Sequence, residues 1–471
     1  MKFGGSCLKD NQAFKKIAEI THLYENSNKI YVASALQGIT DILLNMAKNI
    51  GDESYIDTHI SLIEKKHLDI IEELFSEDTF HYNECKDWLD KKMSELEDCI
   101  VDIQEFGREP YYIDYISSFG EILSTFILNQ YLLSQGFESI FISANNLIIT
   151  NDEFNNAYPL YEFTNARVKR QIMPLLENPK RNVIFCVTGF IGRNKIGYIT
   201  TLGRGGSDYT ATILARTIHD VGSDKDIKVI LWKDVDGLLT IDPKYVEGSV
   251  LIKSLNYVEA KQIASIGAKV LHPKCLEAIE NKNVPLEIRN FDNPAEKMNY
   301  TTISNITDKG QIKGISAIED ATIITVTSGS MVDVPGVLAK IFGVMGEHNI
   351  SVSFVAQSSS EISTSFVVKG EEGKKALEAL QAEKEFADFF KITWEEISII
   401  NITGKKVLDN ITKAKIFNAL EKQKVKVQSI SQSNNGVNLS LIVSKDNIIK
   451  GIKEIHNELC EEFDTLKCNE S

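Results

Sequence analysis

A glycine-rich turn within residues 199–215 constrains the fold of this chain more than any other stretch. The segment reads ITTLGRGGSDYTATILA, so three glycines surround Arg204. Ser207 is a good helix N-cap residue, and the apolar residues after it recur with the spacing of one helix face. The pattern predicts a strand, a glycine turn and a helix. Free N–H groups and partial positive charge at a helix N-terminus favour a phosphate or a carboxylate there.

Asp208 falls in the first turn of that helix, where the helix dipole stabilises a carboxylate. The same carboxylate can receive an ammonium group or a metal. A plain strand-to-helix turn remains the alternative for this stretch taken alone, because glycine motifs are weak evidence by themselves.

Similar units recur along the first 220 residues. KFGGS at 2–6 offers a second glycine turn after Lys2, and the strand that precedes this turn is very short. Residues 30–40 give a buried strand, a glycine turn and a helix. SSFGE at 117–121 opens a further helix and is expected to place Glu121 in its first turn. Further strands, ESIFISA and NVIFCVTGFIG, lead to Gly189-Phe190. This alternation predicts an α/β sandwich with a mostly parallel sheet, whose ligands bind beyond the carboxyl ends of the strands.

The segment between 52 and 106 is acidic and has helical spacing, and we interpret it as a helical excursion with a solvated face. Later, a strand at 228–232 runs into Asp234-Val235-Asp236-Gly237, and Asp242-Pro243-Lys244 follows. Aspartates suit a turn, and the alternative is a loop that frames a nucleotide. Lys269, in the stretch SIGAKVLHP, stands beside a glycine where a phosphate can be met, although a lone lysine is more often on the surface.

Beyond Pro294 the chain contains an internal repeat. Residues 349–368 resemble residues 424–443 at a constant offset, with Gln357 matching Gln432 and Ser358 matching Ser433. A helix precedes each copy, so each reads as strand, helix, strand, strand with room for a second helix. The repeat predicts two small βαββαβ modules of the ferredoxin-like type.

Composition excludes several classes of protein. A formal charge of −15 disfavours nucleic acid as a partner, because binding phosphates of nucleic acid needs clustered lysine and arginine. No run of apolar residues is long enough to span a membrane, and no secretion signal opens the chain, so we expect a cytoplasmic protein. Seven scattered cysteines without a CxxC pair indicate neither a disulfide framework nor a zinc site, and no metal-binding residues are predicted.

Taken together, these stretches resemble the aspartate kinases, members of the amino-acid kinase superfamily with a C-terminal pair of ACT regulatory modules. The motifs KFGGS, SALQGIT, SFGE, GFIG, LGRGGSD, WKDVDG and IGAKVLHP occur in the order of that family. The resemblance implies a three-layer αβα sandwich with a mostly parallel sheet over 1–293, and two ferredoxin-like ACT modules over 294–471. One module, about 320–392, is expected to be inserted within the other, formed by about 303–319 and 393–465. In the nucleotide loop around residues 234–237, Lys233 and Leu239 stand where many members of the family carry threonine and tyrosine.

The resemblance implies transfer of the γ-phosphoryl group of ATP, with Mg²⁺ held largely by the phosphates, to the side-chain carboxylate of L-aspartate. Lys2 would be the main catalytic cation, Arg204 would hold the α-carboxylate of aspartate, and Asp208 with Glu121 would receive its ammonium group or orient the metal shell. The implied aspartate-binding residues are Thr40, Glu121, Phe190, Arg204, Ser207 and Asp208. The implied ATP-binding residues are Lys2, Gly4, Gly5, Ser6, Asp234, Pro243, Lys244 and Lys269.

The ACT pair implies feedback by lysine or threonine, and a homodimer through the ACT modules, possibly a dimer of dimers. The amino acid is expected where residues 331–338 meet residues 352–361, across two chains. The implied effector-binding residues are Met331, Asp333, Gly336, Val337, Leu338, Val352, Ser353, Gln357, Ser358 and Glu361.

Two other interpretations stay open at this point, and a third is not expected. One is a non-catalytic amino-acid sensor with a degenerate kinase domain, and another is a kinase for a different acidic metabolite. The third, a fused homoserine dehydrogenase, is not expected, because no residues follow Ser471.

Overall fold

The structure is a computed structural model, and it describes residues 1–77, 79–107, 109–178, 181–222, 226–266, 270–296, 298–305, 311–329, 333–432 and 436–463. The chain divides into two compact units. The first comprises Met1–Leu238 with Val270–Ile306, and the second comprises Leu239–Lys269 with Thr307–Ser471. The predicted strands and helices of the first 300 residues are present, with two changes at helix starts that are reported with the site.

The strands are β1 Lys2–Phe3, β2 Lys29–Ala33, β3 Ser139–Ile142, β4 Ile184–Thr188, β5 Ile191–Arg193, β6 Ile199–Thr201, β7 Val229–Lys233, β8 Ser254–Leu255, β9 Leu286–Asn290, β10 Thr301–Ile303, β11 Gly314–Thr327, β12 Phe354–Gln357, β13 Ser363–Lys369, β14 Lys391–Thr403, β15 Val427–Ser431 and β16 Asn438–Ser444. The helices are α1 Asn11–Leu23, α2 Ile39–Lys48, α3 Glu53–Leu74, α4 Phe80–Phe106, α5 Pro110–Ser134, α6 Tyr161–Gln171, α7 Met173–Leu176, α8 Gly206–Asp220, α9 Tyr257–Ser265, α10 Pro273–Glu280, α11 Val337–Glu347, α12 Gly373–Ala382, α13 Lys384–Phe389, α14 Asn410–Lys422 and α15 Ile448–Leu459.

The sheet of the first unit has the strand order β3-β4-β2-β1-β7-β9-β10. All neighbours up to β9 pair in parallel, and β10 pairs with β9 in antiparallel orientation. Strand β1 has only two residues, yet it lies near the centre, with Lys2 opposite Val32 on one side and Leu231 on the other. The predicted mostly parallel sheet and its very short first strand are therefore confirmed.

Side-chain alternation along these strands decides which residues face each helix layer. Phe3, Tyr31 and Trp232 are fully buried in one apolar cluster with helices α1 to α5. Because successive side chains on a strand point to opposite faces, Lys2 and Lys233 face the other side of the sheet. Helix α8 packs on that side, against α6 and α10. The two lysines are thus directed at the start of α8 by the pleat of their strands.

Two long strands dominate the second unit. Strand β11 pairs with β14 in antiparallel orientation along nearly its whole length, with a register shift between Ile318 and Ala321. The C-terminal half of β11 pairs with β13, and the C-terminal half of β14 pairs with β16. Each long strand therefore contributes one half to each βαββαβ module. The resulting six-stranded order is β12-β13-β11-β14-β16-β15, in agreement with the predicted pair of ferredoxin-like modules.

Each module has its own core. Helices α11 and α12 pack with Phe366 and Ile324 in one cluster, while α14 and α15 pack with Ile400 and Leu441 in another. A third cluster, which includes Phe354 and Ile399, lies on the opposite face of the sheet. Strand β16 and the C-terminal half of β14 are thus buried on both faces, whereas the residues of β15, at the edge of the sheet, are half-buried or exposed. None of the helices in the described ranges is long and apolar enough to cross a membrane.

Candidate active site

A lysine–aspartate–lysine cluster lies at the start of α8. The ammonium group of Lys2 is 2.8 Å from Asp208 Oδ1, and that of Lys233 donates a hydrogen bond of 2.8 Å to Asp208 Oδ2. The Lys2 and Asp208 side chains are only 7% and 6% exposed. Asp208 and Lys2, which are more than 200 residues apart in the chain, are therefore brought into contact, and Lys233 joins them.

The cluster carries a net positive charge. Burial would raise the pKa of Asp208, but the ammonium groups of Lys2 and Lys233 lower that pKa to about 2. Burial likewise acts to lower the pKa of Lys233, and Asp208 more than offsets this, so the pKa rises. Two ammonium groups and one carboxylate leave one positive charge at neutral pH, next to the positive end of the α8 dipole. This arrangement attracts an anion.

Two glycines shape the space around the cluster. A Cβ atom on Gly4 would lie 3.1 Å from Nζ of Lys2, so the glycine keeps one side of that ammonium group open. Gly205 has φ 71°, and a Cβ there would lie 2.6 Å from Cβ of His272. Since residues other than glycine rarely adopt this conformation, the turn before α8 depends on Gly205.

The prediction that Ser207 caps α8 is wrong. The helix begins at Gly206, its N-cap is Gly205, and no side chain caps it. Ser207 is the second helical residue and is buried. The apolar pattern starts only after Ser207, whereas the left-handed backbone available to Gly205 lets the helix begin earlier. The N–H groups of the first turn therefore keep no side-chain partner from Ser207, which suits an anion site.

The prediction that Glu121 lies in the first turn of a helix is also wrong. Helix α5 begins at Pro110, so Glu121 lies in its middle, where Gly120 packs closely against Ala35. Glu121 is 3% exposed, and among the residues that the structure describes none hydrogen-bonds to its Oε2. Burial raises the pKa of Glu121 to about 8, while the backbone of Ala35 and the charge of Lys2 act in the opposite direction. At neutral pH the carboxyl group is therefore mostly protonated, and a cation placed beside it would lower its pKa.

Arg204 is exposed between two glycines with positive φ, Gly203 and Gly205. Within the described ranges it forms no ion pair. Phe190 also has a left-handed backbone, with φ 67°; its N–H donates to Thr210 Oγ1, and its ring would collide with a Cβ on Gly206. Phe190 thus packs over the start of α8. Thr40 is half-buried in the first turn of α2, after β2.

Asp114 is a buried residue of this region that sequence reasoning missed. Its carboxylate accepts hydrogen bonds from the N–H of Asn155 at 2.9 and 3.0 Å, from the N–H of Thr201 at 2.8 Å and from the hydroxyl of Thr201 at 2.9 Å. Burial raises its pKa to about 6, although these donors act to lower it. Asp114 ties the end of β6, two residues before Gly203, to helix α5. The spacing of seven residues to Glu121, which places both on one helix face, was the available signal.

The remaining ATP-binding predictions divide between the units. Ser6 is half-buried just after β1, and Asp234 is exposed directly after β7. Pro243 and Lys244 belong to the second unit, where the Lys244 ammonium lies 2.9 Å from the carboxylate of Glu319. Lys269 lies outside the described residues.

The predicted effector residues in the second unit lie in neighbouring turns. The N–H of Asp333 donates 3.2 Å to the carboxylate of Glu361, and both residues are exposed with left-handed backbones. Gly336 caps α11, which begins with Val337 and Leu338. Val352 and Ser353 precede β12, and Gln357 ends it. Ser358 pairs its backbone with Ser363, and Met331 lies outside the described residues.

The comparisons with known proteins agree with this geometry. Residues 1–290 match the amino acid kinase family, and residues 324–383 and 400–459 each match the ACT domain. Because the first match covers more than half of it, the chain belongs to the amino acid kinase family.

Similar proteins of known name are aspartokinases, which are members of this family. Aspartokinase 1 of Arabidopsis thaliana, a chloroplastic protein, is 30% identical over 98% of this chain and 80% of its own length. The bifunctional aspartokinase/homoserine dehydrogenase of Buchnera aphidicola is also 30% identical over 98% of this chain. The chain spans only about half of the length of such bifunctional relatives, 56% in that case and 50% for one of Arabidopsis thaliana.

Solved structures show the same fold. Escherichia coli aspartokinase III in complex with aspartate and ADP is 26% identical, with a TM-score of 0.80 over 98% of this chain and 99% of that chain. The same enzyme in complex with lysine and aspartate is 25% identical, with a TM-score of 0.78 over 97% and 98% of the two chains. The predicted three-layer kinase sandwich followed by ACT modules is therefore confirmed.

Proposed function

We propose that this protein is an aspartate kinase, which transfers the γ-phosphoryl group of ATP to the β-carboxylate of L-aspartate and produces 4-phospho-L-aspartate and ADP. The observation that carries the proposal is the buried Lys2–Asp208–Lys233 cluster, with its net positive charge at the N-terminus of α8. The similarity to Escherichia coli aspartokinase III, which has been solved with aspartate and ADP, supports it.

Lys2 is the proposed catalytic cation. Phosphoryl transfer depends on alignment and on cations that neutralise charge on the phosphoryl oxygens. Asp208 occupies one side of the Lys2 ammonium group, and Gly4 leaves another side open, so Lys2 can donate to the phosphoryl group without losing its anchor. Lys233 holds the other oxygen of Asp208 and thereby fixes the carboxylate that orients Lys2.

The substrate is a zwitterion, and two residues offer matching charges. The exposed guanidinium of Arg204 is proposed to bind the α-carboxylate of aspartate, a bidentate contact that lysine cannot reproduce. Glu121 is proposed to bind the ammonium group, because its buried Oε2 is unpartnered among the described residues. A cation beside Glu121 lowers its raised pKa, so binding of aspartate near pH 7 is expected to release a proton.

Magnesium fits this site as a partner of the nucleotide phosphates. No group of three or more His, Cys, Asp or Glu side chains that could hold a metal is found in the described part of the chain, and Asp208 is already engaged by two ammonium groups. Bound Mg²⁺ would neutralise charge on the β- and γ-phosphates. Asp208 or Asp234 is the residue that could reach its outer shell.

The test is an assay of the purified protein with ATP, Mg²⁺ and L-aspartate in the presence of hydroxylamine, which converts the acyl phosphate to a hydroxamate that gives a coloured complex with iron(III). We expect signal in the wild type, and losses of at least about 100-fold for Lys2→Ala and for Arg204→Ala, as for removal of one preorganised charge donor. Lys9→Ala, an exposed lysine of the same N-terminal segment, is the control. No hydroxamate from a folded wild-type protein that still binds lysine would favour the amino-acid sensor instead.

We further propose that lysine or threonine regulates the enzyme by binding at the turns that hold Asp333 and Glu361, in a homodimer joined through the ACT modules. Escherichia coli aspartokinase III has been solved with lysine, which supports lysine as one candidate. Titration calorimetry with each amino acid tests the effector, and light scattering tests the dimer. Absence of heat with both amino acids, or a monomer at micromolar concentration, contradicts the respective proposal. The cytoplasmic location stays a prediction from the sequence.

A further inference from the structure

A cationic cavity lies in the first unit, apart from the lysine–aspartate–lysine cluster. It has a volume of about 550 Å³ and is formed by α6 and the turn between β5 and β6. Arg167 and Arg170 come from the helix, Arg193 from the end of β5, and Lys195 from the turn. The other lining residues are Ile149, Phe163, Ala166 and Asn194. No carboxylate belongs to this lining.

The residues that the structure describes provide no acidic partner for these four cations. In the described part of the chain, none of them forms an ion pair, although the chain as a whole carries a net charge of −15. Burial lowers the pKa of Arg167, and the charges of Arg193 and Arg170 lower it further. Burial is the larger cause and repulsion among the guanidinium groups the smaller one, and an anion in the space between these groups would oppose both.

Local contacts hold the cations in place. Arg167 donates a hydrogen bond of 3.0 Å to the carbonyl of Asn146, and Lys195 lies 4.5 Å from the ring centre of Phe163. The backbone of Arg193 pairs with Ile199 and bridges to Ile149. Backbone pairing thus fixes the position of Arg193, whereas Arg167 and Lys195 are held by side-chain contacts.

We propose that this cavity, which we call the α6 cavity, binds a small anion with two or more negative charges, of the phosphate class. Three planar guanidinium groups offer the paired donors that match phosphate oxygens. A volume of about 550 Å³ accommodates pyrophosphate or a phosphorylated metabolite, and its size exceeds that of a single monovalent ion.

The α6 cavity is separate from the proposed phosphoryl-transfer site. Arg193 and Ile199 are paired at the start of β6, whereas Gly203 and Arg204 follow the other end of that strand. The two ends of the antiparallel pair β5–β6 thus have separate cationic groups. Because this inference does not use the kinase reaction, it stands or falls independently of the proposed function.

The experiment is titration calorimetry of the full chain with pyrophosphate, and separately with citrate, without added metal. Heat from the nucleotide site is common to wild type and both variants, so only the binding that Arg170→Gln removes is assigned to the α6 cavity. The variant is Arg170→Gln, and the matched control is Lys169→Gln, which removes the same charge from the neighbouring exposed residue outside the cavity lining. Both side chains are exposed, so both variants are expected to fold.

We expect wild type to bind pyrophosphate. Arg170→Gln should weaken binding by about tenfold or more, because it removes a charged hydrogen-bond donor from the cavity. Lys169→Gln should weaken binding less than about threefold, because it removes only a nearby exposed charge. Higher salt should weaken all three. No heat from pyrophosphate in wild type, equal losses in the two variants, or binding of citrate alone would overturn the proposal. If wild type does not bind pyrophosphate and Arg170→Gln changes the molecular mass of the protein in solution, the cavity is instead an interface between copies of this chain.

Discussion

The candidate active site and the candidate effector site are built in opposite ways. The first joins Lys2, Asp208 and Lys233, whose charged groups are buried and paired within one compact unit. The second has Asp333 and Glu361 exposed, and a hydrogen bond from the backbone N–H of Asp333 to the carboxylate of Glu361 joins them. A buried cluster is rigid and preorganised for charge stabilisation, whereas exposed turns gain most of their contacts only when a ligand or a partner arrives.

The comparison explains where each site gets its specificity. Three groups of the active site are held by strand pleat, helix start and ion pairs before any substrate binds. The effector turns lie at the ends of β12 and α11, where left-handed residues fix the backbone but few side chains are committed. Substitutions should therefore damage stability and activity together at the first site, and ligand affinity alone at the second.

The largest effect is expected for Asp208→Asn. Removing one member of a buried ion cluster leaves two ammonium groups without compensation, which costs about 3–5 kcal/mol of unfolding free energy. Lys2 loses its anchor, so kcat should fall at least about 100-fold. Urea unfolding and the hydroxamate assay measure the two effects. Asp220→Asn, at the other end of α8, is the control; equal losses in both variants would contradict the comparison.

Glu121→Gln should change the pH dependence of stability. In the folded wild type the pKa of Glu121 is about 8, against 4.5 in the unfolded chain, so between these values the folded state keeps a proton that the unfolded state has lost. Stability of wild type therefore falls as the pH rises from 5 to 8. Glutamine removes this dependence, and we expect the variant to gain about 1 kcal/mol or more relative to wild type at pH 8 compared with pH 5.

Thermal unfolding at both pH values measures this gain for Glu121→Gln. Weaker binding of aspartate should accompany it, because the amide has no charge to offer the ammonium group. Identical pH profiles of unfolding for the two proteins would show that Glu121 is not held in its neutral form.

A smaller effect is expected for Asp114→Asn. The amide replaces one acceptor oxygen with a donor that faces the N–H groups of Asn155 and Thr201, which costs about 2 kcal/mol of stability. Because Asp114 holds the end of β6 just before Gly203 and Arg204, its loss should raise the KM for aspartate more than the KM for ATP. Thr201→Val removes only the hydroxyl donor and should lie between wild type and Asp114→Asn. An unchanged KM for aspartate would limit Asp114 to a structural role.

The smallest structural effect is expected for Glu361→Gln in the effector turns. The side chain is exposed, so the free energy of unfolding should change by less than about 0.5 kcal/mol. The Kd for the regulatory amino acid should rise by about tenfold, if its ammonium group binds this carboxylate. Calorimetry compares the variant with Glu347→Gln, an exposed residue at the end of α11. Equal Kd values would place the ammonium group elsewhere.

Much of the fold was predictable because its signals are local. Buried strands followed by glycine turns and helices marked β2, β4 and α8, and a repeat at constant offset marked the two modules. Helix starts were harder. The sequence placed the start of α8 at Ser207, since capping preferences do not reveal the left-handed backbone of Gly205. It placed the start of the Glu121 helix at residue 117, whereas that helix begins seven residues earlier, at Pro110, which apolar spacing does not reveal.

The sequence by itself determined the order of its motifs, the family that they resemble, and the candidate roles of Lys2, Arg204 and Asp208. Only the tertiary structure showed that Lys233 shares Asp208 with Lys2, that Asp114 ties β6 to α5, and that α6 and the β5–β6 turn bring four cations together. It also revealed that β11 and β14 are shared between the modules. The reason is physical: these features depend on which face of a strand a side chain occupies and which distant strand lies beside it, and both follow from packing of the whole unit.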